Sequence, residues 1–183
     1  YKTVQIGTQT WMKENLKTLH FSDGTAIPTD SVLTYKGTAN TDTINNYGRL
    51  YSYYVVTSLK SVCPDGWRIP SVDDWKTLVT FVGGPNWQYT AALTISNLMD
   101  TTSGMWLSSN IIGNNNSGFT ARPAGYASYT EGWYYSFMGE NATWWTSNNM
   151  VPMHVTIEGS YGGLQVGSEG SSYDARSIRC IKN

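Results

Sequence analysis

Residues 63 to 84 read Cys63-Pro64-Asp65-Gly66-Trp67-Arg68-Ile69-Pro70-Ser71-Val72-Asp73-Asp74-Trp75-Lys76-Thr77-Leu78-Val79-Thr80-Phe81-Val82-Gly83-Gly84, the clearest local signal in the chain. Ser71 stands where a helix N-cap belongs. Asp73 and Asp74 occupy the first turn, where the macrodipole favours anions, and Asp74 sits at the capping-box position. Trp75, Leu78, Val79 and Val82 then recur at i, i+3, i+4 and i+7, one apolar face of an amphipathic helix. Gly83-Gly84 and Pro85 supply the stop.

Upstream, Val4 and Ile6 and then Trp11 and Met12 alternate among Thr, Gln and Gly, which predicts an opening strand pair turning near Gly7-Thr8. Residues 22 to 46 read as a long irregular excursion, and the aromatic-dense Tyr47 to Val56 fits helix and strand equally well. Downstream, a second helix is expected from about Gln88 to Met99, with Ala92, Ile95 and Leu98 or Met99 inward. From Thr101 onward the pattern breaks into short bursts. Val151, Met153, Val155 and Ile157 form an inward face, with Pro152, His154 and Thr156 opposite. Leu164 and Val166 continue inward after the Gly159-Ser160-Tyr161-Gly162-Gly163 turn, and Ile178 and Cys180 belong to a closing strand. The bulk of the sheet is therefore expected in the C-terminal third.

The 183 residues have the length of one domain, and no linker divides them. Charged residues are 14% of the chain, against roughly 25% in ordinary soluble domains, and the net charge is −1. The 12 Lys and Arg are scattered singly, so no basic face follows from their order and nucleic acid is not an expected partner. No apolar run approaches the roughly 18 residues that span a bilayer, so no membrane insertion is expected of this domain, and Tyr1 to Gln9 is no signal peptide. In place of charge stand 19 Ser, 22 Thr, 14 Asn, 18 Gly and 25 aromatics, a composition that favours strands, turns and binding loops over long solvent-facing helices.

Catalytic chemistry finds little support. The two histidines, His20 and His154, lack any Gly-x-Ser-x-Gly elbow, no spacing marks two carboxylates as facing one another, and no calcium or phosphate loop is present. No catalytic residue, metal or cofactor is expected. Cys63 and Cys180 lack partners for zinc, which leaves two readings: a disulfide closing a very long loop, worth about 4–5 kcal/mol, or two buried free thiols. Trp11, Trp67, Trp75, Trp106, Trp144 and Trp145 lie in patterned contexts and read as core anchors. Trp133, Tyr134 and Tyr135 follow a turn-like segment and cannot all turn inward, so part of this aromatic run is expected to meet a ligand.

Six segments taken together resemble the Fibrobacter succinogenes major paralogous domain family. They are Gln9-Thr10-Trp11-Met12-Lys13-Glu14-Asn15-Leu16, Tyr47-Gly48-Arg49-Leu50-Tyr51, Cys63 through Trp75, Gly118-Phe119 with Pro123-Ala124-Gly125-Tyr126, Trp144-Trp145-Thr146-Ser147, and Ser177-Ile178-Arg179-Cys180. The resemblance implies an α+β, C-type lectin-like fold: two helices packed on small antiparallel sheets, the termini together in one of them, and a long irregular C-terminal half. It implies export in Bacteroidetes-type or Fibrobacter-type bacteria, to the outside of the cell or its outer membrane, on lipoproteins or larger surface proteins. It brings Cys63 close to Cys180 and so strengthens the disulfide reading. The motifs of calcium-dependent sugar-binding lectins are missing.

The resemblance also points to proteins diversified by retroelements, whose scaffold persists while outward C-terminal residues vary. The outward positions are Asn148, Asn149, Met150, His154, Thr156 and Glu158, continuing with Tyr161, Gln165, Glu169 and Tyr173. With Trp133 to Tyr135 they form the expected binding face of a monomeric, non-catalytic module for a protein or glycan at a cell surface. Two alternatives stand beside this expectation. Arg68 to Trp75 resembles the Arg-Leu-Pro-Thr-x-x-Glu-Trp segment of formylglycine-generating enzymes, which use cysteines with copper. A spacer domain in a larger adhesin is the other.

Overall fold

The opening strands β1 (Thr3–Ile6) and β2 (Gln9–Met12) pair antiparallel in the computed structural model, which describes residues 1–35, 40–83, 92–107, 113–147, 150–159 and 163–183. Gly7 turns the hairpin at φ 58°, and a Cβ there would come within 2.8 Å of the Phe81 ring. The closing strand β12 (Ile181–Lys182) lies between β2 and β5 (Trp67–Arg68), giving the order β1-β2-β12-β5. Both ends of the described chain thus share one sheet, as the family resemblance implies.

Two further antiparallel sheets complete the strand framework. One is β10 (Gly163–Glu169), β9 (Met153–Glu158) and β8 (Asn141–Trp145) in that order. The other runs β3 (Val32–Leu33), β4 (Leu50–Ser52), β11 (Asp174–Arg176), β6 (Tyr126–Tyr129) and β7 (Trp133–Ser136). The protein is sheet-rich with few helices. Four are described where two were expected: α1 (Thr41–Tyr47), α2 (Tyr53–Thr57), α3 (Val72–Phe81) and α4 (Ala92–Leu98). The two additional ones are short and fall in segments without an amphipathic period. No described helix is long and apolar enough to cross a membrane.

The expected helix is α3. The Ser71 hydroxyl accepts from the Asp74 amide, the Asp74 carboxylate accepts from the Ser71 amide at 2.7 Å, and Arg68 Nη2 adds a 2.9 Å bond to Asp74. Its apolar face, Trp75, Leu78, Val79 and Val82, is buried together with Ile95, Leu98 and Met99 at the end of α4. The proposed start of α4 near Gln88 and the side chain of Ala92 lie outside the described residues.

The core is aromatic. Trp75 sits 4.9 Å from Trp11 and 5.2 Å from Trp144, and Phe119 closes the group at 5.6–5.7 Å from all three. Trp106 and Trp145 are buried too, whereas Trp67 is only partly covered. Cys63 and Cys180 are joined in a disulfide with Cα atoms 6.0 Å apart, so of the two readings of the thiols the bridge holds.

Several expectations need correction. Tyr47 to Val56 is neither a single helix nor a single strand, since the strand β4 runs directly into α2. The excursion over 22 to 46 contains β3 and most of α1. In β9, Val155 and Ile157 are inward as expected, but Val151 is exposed and lies before the strand begins. His154 and Thr156, expected outward, are also buried. The reason is position: β9 is the middle strand of its sheet. Its second face is covered by Arg176 of β11 and Tyr126 of β6, from the neighbouring sheet.

Candidate functional site

Strand alternation places Thr143 and Trp145 of β8 on one face, while Ala142 and Trp144 enter the main core. Thr143 lies opposite Thr156 and Trp145 opposite His154 in register. From the facing sheet, Arg176 donates to Thr143 Oγ1 at 2.9 Å and pairs with Asp174 at 2.7 Å, with its guanidinium 4.7 Å from the Tyr126 ring centre. Asp174 also accepts from Ser128 Oγ at 2.9 Å, so both members of this buried ion pair are held by further hydrogen bonds.

Above this polar floor opens a cavity of about 480 Å³. Thr143, Arg176 and His154 line it, as do Thr156, Asn141, Gln165 and the carboxylates of Glu140 and Glu158. Tyr126 and Phe137 form the aromatic side, their rings stacked at 5.9 Å with 24° between planes. Phe137 is 46% exposed and holds φ 62°, a left-handed conformation that costs a non-glycine residue about 1–3 kcal/mol. The turn around it is fixed by the amides of Glu140 and Asn141, which both donate to the Phe137 carbonyl. Opposite it, Gly125 leaves no room for a side chain, because a Cβ would run into the Ser136 carbonyl oxygen.

His154 is 8% exposed, and burial together with the Arg176 charge pulls its pKa down from 6.5 to about 4, against an opposing pull from Asp174. The imidazole is neutral at physiological pH. Its Nδ1 and the Nε of Arg176 have no hydrogen-bond partner among the described residues, and both lie close to Gly170. Among the described residues no group of three His, Cys, Asp or Glu side chains could hold a metal ion.

Of the sequence-derived site residues, the structure gathers His154, Thr156, Glu158 and Gln165 at this cavity. Trp133, Tyr134 and Tyr135 lie apart from it on β7, the edge of the five-stranded sheet. Trp133 and Tyr135 pack partly against Leu33, Leu50 and Ala127, while Tyr134 is 60% exposed. Tyr173, 67% exposed, leads into β11, and its carbonyl accepts from the Tyr129 amide of β6 on the side away from that edge. Met150 and Glu169 are exposed without lining the cavity. Asn148, Asn149 and Tyr161 lie outside the described residues.

Sequence reasoning missed Tyr126, Phe137, Glu140, Asn141, Thr143 and Arg176. Asp174 and Arg176, two apart in a strand and so on one face, were the one legible hint. The remainder depends on which sheets face each other.

A family model described as the Fibrobacter succinogenes major domain matches residues 4–182. No curated protein and no solved structure matches the chain.

Proposed function

The chain belongs to the Fibrobacter succinogenes major domain family, and we propose that it is a non-catalytic binding module with a C-type lectin-like scaffold, displayed outside the cell on a lipoprotein or larger surface protein. Its ligand is a glycan, taken in the cavity between β6, β8, β9 and β10. The observation that carries this is the convergence of the Tyr126–Phe137 stack with Gln165, Asn141, Glu140 and Glu158 around one opening. Aromatic faces cover the apolar side of a sugar ring, and amides and carboxylates meet its hydroxyls. The disulfide supports an oxidising compartment, in keeping with export.

Diversification by a retroelement belongs to the same proposal, but only at exposed positions such as Met150, Gln165, Glu169 and Tyr173. Arbitrary side chains at buried His154 and Thr156 would disturb the packing of the two sheets.

A protein ligand is the second reading, favoured by the exposed rings of Tyr129 on β6, Tyr134 on β7 and Tyr173 just before β11, all at the five-stranded sheet. The oxidase alternative needs free thiols side by side, and both cysteines of the chain are in the bridge.

A glycan array probed with wild type and with a Phe137→Ala/Gln165→Ala variant tests the proposal. Binding present in the wild type and lost in the variant, with the melting curve nearly unchanged, is the expected result. Unimpaired glycan binding by the variant, or no glycan binding by the wild type, overturns it.

A further inference from the structure

A second cavity, of about 300 Å³, lies on another part of the molecule and has a different character. Its wall carries Lys2, Lys13, Lys17 and Arg122 against one carboxylate, Glu14. A third of the 12 Lys and Arg of this charge-poor chain therefore converge on one opening, which their scattered order in the sequence does not announce.

The backbone holds the convergence in place. The Lys13 amide donates to the Lys2 carbonyl at 2.9 Å, just beyond the Thr3 to Met12 register pair of the opening hairpin. Two ammonium groups are thus carried by adjacent positions on neighbouring strands, an arrangement in which like charges repel. Glu14 is occupied by Lys17 at 2.8 Å and by the Lys2 amide at 3.2 Å. Arg122 has Asp100 only at 3.7 Å. The remaining wall, Asn45, Asn46, Gly48, Thr120 and Asn15, is uncharged.

More positive charge stands behind it. Arg179 is fully buried and has no carboxylate among its partners, which are Asn15 Oδ1 at 2.7 Å and the carbonyls of Phe119 and Thr120. The Arg122 charge acts on Arg179 as well, adding to the effect of burial in lowering its pKa. Glu14 and Asp100 offset Lys17 and Arg122 only, so the Lys2, Lys13 and Arg179 charges leave a net positive field at the opening.

We propose that this cavity is an anion site for a tetrahedral oxyanion, sulfate or phosphate, free or as an ester on a polymer. Lys2 and Lys13 bring ammonium groups beside the Glu14-paired Lys17, compact point charges with rotatable donors, suited to a tetrahedral anion. A planar carboxylate is better matched by an arginine fork, and the single guanidinium here is already engaged with Met105 Sδ and Asp100. The site is separate from the glycan cavity and stands or falls independently of it.

Thermal melting at constant ionic strength, with chloride exchanged for sulfate or phosphate, reads the site directly. Wild type is compared with a Lys2→Gln/Lys13→Gln double variant and with Asn46→Asp, which adds a carboxylate at an exposed position on the wall. The midpoint of the wild type should rise and saturate, and the variants should need roughly tenfold more anion or more for the same rise. Retention on dextran sulfate but not on dextran, lost in the variants, identifies the ester as the source. Saturation by the inorganic ions without such retention identifies the free anion. An identical, non-saturating rise in all three proteins, or neither a rise nor retention, overturns the proposal.

Discussion

Arg176 and Arg179 are both buried, and by opposite means. Arg176 keeps an acidic partner, Asp174, and the packing of Tyr126 and Trp145 against its faces. Arg179 relies on neutral acceptors and on the rings of Phe119 and Trp144, at 4.4 and 5.4 Å. Asn15 is the residue that makes this work: its Oδ1 accepts from Arg179 and from Trp144 Nε1, while its Nδ2 donates to the Tyr47 carbonyl and Ser177 Oγ. Asn15, Trp144 and Arg179 all lie in segments that carry the family resemblance, so those motifs are legible as a set. Their shared role is not, because 164 residues separate Asn15 from Arg179. Beside Arg176, neutral His154 makes stability depend on pH. The unfolded imidazole titrates near 6.5 and the folded one at about 4, so the unfolded state binds more protons between these values. Stability is fully present above pH 6.5 and falls as pH is lowered through the window to about 4, by on the order of 3 kcal/mol. Denaturant titrations at several pH values should show this slope in wild type and its loss in His154→Gln. An equal slope in both would assign the effect to other groups.

At the level of single elements, α3 is the best example of local sequence agreeing with structure. Cap, first-turn acids and apolar stripe all specify the same helix, and the buried face is the one the spacing marks. Ser71→Ala removes the acceptor for the Asp74 amide and should cost about 1 kcal/mol, against a few tenths for Ser71→Gly. The measurement is the urea midpoint at unchanged slope, and an Ala variant as stable as wild type would show that Arg68 and Asp74 hold the turn alone. β9 is the opposite example. Its apolar alternation identifies one buried face, yet His154 and Thr156 on the polar face are buried as well. Period-two patterning reports which residues are apolar, not whether a second layer covers the polar side. The β4–α2 junction defeats periodicity for another reason, since three strand residues followed by five helical ones are shorter than either repeat needs.

Over the whole molecule, the chain is tied together by the Cys63–Cys180 bridge, which spans 117 residues and encloses α3, α4 and the seven described strands β5 through β11. Replacing both cysteines by serine should lower unfolding free energy by about 4–5 kcal/mol in the chain-entropy estimate, read from urea unfolding of wild type and variant. A loss below about 1 kcal/mol would mean that the unfolded chain is already constrained by other contacts. What the sequence alone determines are the features set by neighbours along the chain: the opening hairpin, the capped helix, the tryptophans that anchor the core and the family itself. Both cavities arise otherwise. The first exists because Arg176 and Tyr126 of one sheet face Thr143 and His154 of another, and the second because Lys2, Lys13, Lys17 and Arg122 converge from separate segments. Secondary structure follows from interactions a few residues long, whereas a site built from side chains dozens of residues apart exists only once the sheets have packed.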